Sequence, residues 1–123
     1  MYCTALGKAI LAFSPQAYVD DILKASERIA MTRQTKTRDP DVLKELEAAR
    51  KSGIARSRGE AIAGVDGFAA PVFNGAGVPV AALGVGVPSS ELTLASIKLI
   101  EASLKRAAAK LSAQLGWQGS GRL

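Results

Sequence analysis

Apolar positions recur at helical spacing in four stretches of the chain and alternate or cluster in three shorter runs between the third and fourth. Thr4 to Phe13 reads as a short helix with Leu6, Ile10 and Leu11 on one face and Thr4 as a candidate cap. Ser14-Pro15 stops it and starts another, with Ser as N-cap and Pro at the first helical position. This second helix runs from Pro15 to about Ala25 and is expected to bury Tyr18, Ile22 and Leu23. The polar run MTRQTKTRD is extended or loop. Asp39-Pro40 repeats the cap signature, and Val42, Leu43, Leu46 and Ala49 keep helical spacing until Gly53 closes the helix at its C′ position.

From Ile54 the period changes. IARSR is a strand candidate, followed by the glycine-bounded loop GEAIAG. VDGFAAPVF and VPVAALGVGV are β-rich and separated by NGAG, a hairpin signal. Pro79 near the start of the third strand points to a sheet edge or an unpaired position. Pro88-Ser-Ser ends the sheet. The last helix spans about Leu94 to Leu115, with Ile97, Ile100, Leu104, Ala108, Leu111 and Leu115 in one stripe and Gly116 as its stop. The tail WQGSGRL is expected to fray, with Trp117 folded back. Three helices, three strands and a long helix make an α+β domain.

Composition sets outer bounds. The 123 residues, 48% hydrophobic and 22% charged, suit a single domain over residues 1–123. One cysteine, Cys3, and no histidine exclude an intrachain disulfide and the usual zinc sets, which fits a reducing cytoplasm. No apolar run reaches the length of a membrane span, so no membrane partner is expected. The net charge of +5 is uneven: nine Lys or Arg fall between Arg28 and Arg58, and none between Gly59 and Ile97. A basic half is one signature of a nucleic-acid-binding module. Here no aromatics interleave, and Asp41, Glu45 and Glu47 alternate with the cations, which favours a solvated helix face.

Candidate chemistry is sparse. Gly7-Lys8 resembles the end of a phosphate-binding loop, but Tyr2 stands where the first glycine belongs and Ala9 where a hydroxyl would bind magnesium. Without histidine, proton-transfer chemistry would fall to carboxylates (Glu60, Asp66 and Glu91 in the sheet half), lysines or Cys3; a small enzyme acting on a carboxylate metabolite through Lys8 or Glu60 is the alternative, and no catalytic residue, metal or cofactor is expected. Cys3 reads as a buried small apolar group. The glycines carry more: Gly59, Gly64, Gly67, Gly84 and Gly86 lie in and beside the strands, either for sheet curvature or to floor a pocket with bare backbone.

Four segments, TALGKAILAF, RDPDVLKELEAARKSGIA, GEAIAGVDGFAAPVFNGAGVPVAALGVGVPSSELT and KRAAAKLSAQLG, resemble in order the effector-binding domain of IclR-type bacterial transcriptional regulators. The resemblance implies a GAF-like fold, a curved antiparallel sheet packed with helices, here with about three strands. It implies a small-molecule effector, usually an organic acid or an aromatic compound, and assembly into dimers or tetramers. DNA would be held by a winged helix-turn-helix absent from these residues, so no DNA contact is expected from them. Early strands and a helix of the family domain also have no counterpart here. By position, the family's pocket residues fall on Ala5 and Leu6 at the first helix, Ser57 in the first strand, Val65 and Gly67 in the second, and Gly84 and Gly86 in the third. Ser57 and Arg58 stand where family members often carry acids, and Gly84 and Gly86 where they often carry serines. Those departures imply a larger, less polar pocket, for a bulkier and more apolar effector or for none in particular. The sheet edge and an alanine flank of the last helix (Ala95, Ala102, Ala109, Ala113) are the expected association surfaces.

Overall fold

The computed structural model describes residues 2–118. Helices α1 (Ala5–Ala12), α2 (Gln16–Ala25) and α3 (Asp39–Ser52) precede strands β1 (Ala55–Arg58), β2 (Val65–Phe73) and β3 (Pro79–Pro88). A single 3-10 turn, Ser89–Glu91, leads into the long helix α4 (Leu94–Gln114). The strands form one antiparallel sheet in the order β1-β2-β3, with Ser57 opposite Gly67 and Gly67 opposite Gly86. The α+β expectation therefore holds, element for element.

Side-chain alternation gives the sheet two unlike faces. Ala55, Ser57, Gly67, Ala69 and Gly84 carry almost no side-chain bulk on one face, and α1 lies directly on it. Ala5, Ala9, Leu11 and Ala12 pack there with Val42, Leu46 and Ala49 of α3 behind them. On the other face Phe68, Ala70 and Val72 pack against Leu104 and Ala108 of α4. Thr93 opens α4 with a capping box: its side chain accepts from Ser96 N–H while Ser96 Oγ accepts from Thr93 N–H. Near the far end of α4, Ser112 Oγ accepts a 2.9 Å hydrogen bond from Phe73 N–H beside a register shift in β2. Phe73 also meets Phe13 edge-on and Trp117 at 4.8 Å, so the fold-back of Trp117 is observed. The remainder of the tail, residues 119–123, lies outside the described residues.

Several local expectations are corrected. Ser14 does not cap α2: its hydroxyl donates to Ile10 carbonyl at 2.7 Å, finishing α1, and Pro15 occupies the cap position without a side-chain bond. Val19, not Tyr18, is buried with Leu23, both in the core cluster that also holds residues of α1 and α3. Asp39 is the first residue of α3 rather than its cap, and its carboxylate pairs with Arg28. Leu43 and Leu115 are exposed, as is Leu6.

Candidate functional site

Helix α1 begins at the edge of the small-residue face. Thr4 is its N-cap, accepting from Gly7 N–H at 3.1 Å, and the Thr4 carbonyl accepts from Lys8 N–H. The Gly7 N–H is one of the four donors a helix start leaves open, and the Lys8 bond is the first of the helix's own ladder. Among the described residues, the N–H groups of Ala5 and Leu6 have no acceptor. They stand at the positive end of the helix dipole.

Below this helix start, the strands and the β1–β2 loop enclose a cavity of about 320 Å³. All seven residues expected from sequence line it: Ala5, Leu6, Ser57, Val65, Gly67, Gly84 and Gly86. A larger depression of about 630 Å³ between Pro15 and Pro79 collects none of them. Thr4, Ala61, Ile62, Phe68 and Val85 complete the lining and were not anticipated. Ile62 had a signal in the sequence, as the one large apolar side chain in a loop bounded by glycines. Gly59 and Gly64 hold left-handed backbone at φ of 69° and 78°, which turns that loop back over the sheet.

The glycines divide by what surrounds them. A Cβ on Gly84 would come within 2.9 Å of both Leu6 Cδ2 and the Phe68 carbonyl oxygen, so this position lets α1 approach the strand. On Gly67 it would meet Ala5 Cβ at 3.2 Å, a milder version of the same fit. On Gly86 it would meet only Val65 Cγ1 at 3.5 Å, an ordinary contact. Gly84 and Gly67 thus admit α1 onto the sheet, and Gly86 leaves bare backbone beside the cavity.

The lining carries no titratable side chain. Ser57 is buried, and its hydroxyl donates to the Cys3 carbonyl at 2.7 Å, tying the chain ahead of α1 to β1. On the reverse face Arg56 lies 4.5 Å from the Phe68 ring centroid and pairs with Asp66 at 3.3 Å, while Ser89 donates to Asp66 at 2.7 Å. Burial, then the neighbouring Arg58 charge, push the Arg56 guanidinium below its ordinary pKa, against the opposing pull of Asp66 and Glu101. These bonds brace the cavity floor from behind.

Lys8 and Glu60, the residues of the small-enzyme alternative, are not in the cavity lining. They are paired with each other at 2.6 Å and are 1% and 0% exposed. Most cations of the basic segment are likewise occupied: Arg28 by Asp39, Lys36 by Glu45, Lys51 by Glu47, Arg50 by the Ala12 carbonyl.

Fold and site define an α+β domain with a backbone-floored cavity whose lining carries no titratable side chain. The chain belongs to the IclR family: residues 1–113 match the family model described as bacterial transcriptional regulator IclR C-terminal. It is 32% identical over 117 residues to the HTH-type transcriptional regulator KdgR of Escherichia coli (strain K12), covering 95% of this chain and 44% of that protein. That relative is a transcriptional regulator. The crystal structure of the C-terminal domain of E. coli KdgR superposes with a TM-score of 0.90 at 33% identity, covering 94% of this chain and 71% of that one. A double mutant of the PobR inducer-binding domain from Acinetobacter, solved with 3-hydroxybenzoic acid, matches with a TM-score of 0.81 at 25% identity, covering 90% of this chain and 64% of that one. Among the described residues no helix is long and apolar enough to cross a membrane.

Proposed function

We propose that the cavity is the effector site of a cytoplasmic, oligomeric transcriptional regulator and that it takes a small organic acid with an apolar, preferably aromatic, body. One observation carries this reading: Ala5 and Leu6, whose N–H groups are unused, line a cavity that is mostly apolar and has no charged side chain in its lining. A helix start is suited to one anionic head group. The remaining walls have little for further polar groups, and each hydroxyl buried without a partner costs about 1–3 kcal/mol. That disfavours polyhydroxylated acids. The volume, about 320 Å³, suits a ring-bearing acid better than a two- or three-carbon one. The PobR domain, solved with an aromatic monocarboxylate, supports the same class.

A carboxylate on α1 favours one packing of that helix between the sheet and α3. In the regulator this population shift alters how copies associate and how DNA-contacting elements are presented. No DNA contact is assigned to these residues; in the basic segment Arg28, Lys36 and Lys51 face carboxylates.

Thermal unfolding tests the reading. 3-Hydroxybenzoate should raise the midpoint, by an amount equivalent to about 2.7 kcal/mol at one hundred times its Kd. The uncharged 3-hydroxybenzyl alcohol should not. Equal effects from both would remove the role of the helix start.

A further inference from the structure

A buried ion pair is costly to assemble, and Lys8–Glu60 sits directly behind two walls of the cavity. Lys8 is on α1, one turn beyond Thr4 and Ala5 on the rim. Glu60 immediately precedes Ala61 and Ile62, which form the loop wall. From structure alone, we infer that this pair is a positioning element: it fixes the β1–β2 loop against α1 and thereby sets the width of the cavity. The ligand consequence rests on the proposed reading of the cavity; the positioning itself does not.

The geometry makes the loop depend on Lys8. Glu60 Oε2 receives Lys8 Nζ at 2.6 Å and Arg58 N–H at 3.4 Å. Its second oxygen, Oε1, is buried with no hydrogen-bond partner among the described residues. Lys8 Nζ also donates to the Arg56 carbonyl at 2.9 Å and lies 3.8 Å from Glu45. A carboxylate so poorly served elsewhere stays inside only while the ammonium faces it, because an uncompensated buried charge is expelled or neutralised. If Glu60 moves outward, Ala61 and Ile62 move with it. Backbone bonds fix the two ends of the loop: Thr32 and Thr35 hydroxyls hold the Gly59 and Glu60 carbonyls, and Ser89 N–H holds the Gly64 carbonyl at 2.8 Å. Between those anchors, the Glu60 side chain is the loop's ionic tie to α1. Ile62 of the loop and Leu6 of α1 both line the cavity and are both partly exposed, so the distance between loop and helix sets the room between them.

The test uses Lys8→Met/Glu60→Leu, which removes both charges while keeping apolar volume, an exchange buried pairs commonly tolerate. The first readout needs no ligand. Gly59 N–H donates to the Val65 carbonyl and Val65 N–H to the Ile62 carbonyl, both at 3.2 Å, so these two amides report loop closure. We expect their hydrogen exchange to accelerate about tenfold or more, with Phe68–Ala70 in the centre of β2 unchanged. The second readout is 3-hydroxybenzoate binding, expected to weaken about tenfold or more. A folded double variant with wild-type exchange at Gly59 and Val65 overturns the inference, as does faster exchange with wild-type affinity for the probe. Faster exchange in a protein whose wild type binds no probe supports the positioning role and defeats the ligand reading instead. Should the double variant not fold, Glu60→Gln, which keeps side-chain length and removes the charge, is read by the same exchange comparison.

Discussion

Gly84 and Gly86 are two residues apart on one face of β3, yet the space beside them differs in kind. At Gly84 a methyl group would press on the Phe68 carbonyl, a backbone atom that cannot step aside, and on Leu6. Gly84→Ala should therefore cost about 1–3 kcal/mol, the usual range for overpacking, read by denaturant unfolding. At Gly86 a larger side chain finds room and projects into the cavity. Gly86→Leu should change stability by under about 1 kcal/mol while abolishing 3-hydroxybenzoate binding. Binding that survives the leucine would move the ligand site elsewhere, and unfolding would make Gly86 a backbone residue like its neighbour. No single glycine's role could be read from sequence, because the distinction depends on where Leu6 and Val65 come to lie.

At the scale of elements, α1 supplies both the roof of the cavity and its polar end, so its first turn governs the site. Thr4→Ala removes the acceptor for Gly7 N–H and should destabilise the protein by about 0.5–2 kcal/mol in urea unfolding. An unchanged midpoint would mean that water replaces the cap at no cost. Element order, the hairpin at Asn74–Val78 and the stripe of α4 were legible because each rests on local spacing or on turn chemistry. The turn itself bears this out: Asn74 Oδ1 accepts from Ala76 and Val78 N–H, and Gly77 takes φ of 79°. Caps were less legible. Ser14-Pro15 and Asp39-Pro40 carry the right residues, but Ser14 found an acceptor on the helix behind it and Asp39 a partner in Arg28. The buried pair was not legible at all. Lys8 and Glu60 are separated by most of the helical half, and only the fold brings them within 2.6 Å. The cavity residues were named through family resemblance; periodicity alone would have left Ala5 and Gly67 as packing positions.

For the whole molecule, the sheet ends on β3, which has a strand partner on one side only among the described residues. From Gly67 to Ser90 the sequence has no charged residue, and Val80 and Val85 on β3 and Leu94 and Leu99 on α4 are exposed. An uncharged, apolar edge of ten residues is a template for another strand, and symmetric self-association is the common way to cover one. The chain on its own should therefore run as a dimer or larger species in light scattering at micromolar concentration. A stable monomer would show that this edge tolerates water.

In the proposed site an anionic head group sits on the N-terminus of α1 with an apolar body over the glycine floor. A titration of ¹⁵N-labelled protein with 3-hydroxybenzoate, followed by amide chemical shifts, decides whether it does. The predicted result is saturable shifts concentrated at Ala5, Leu6, Gly67 and Gly86, with the Ala5 and Leu6 protons moving downfield as they acquire an acceptor. Saturable shifts confined to the depression around Pro15 and Pro79, with Ala5 and Leu6 unmoved, would contradict it.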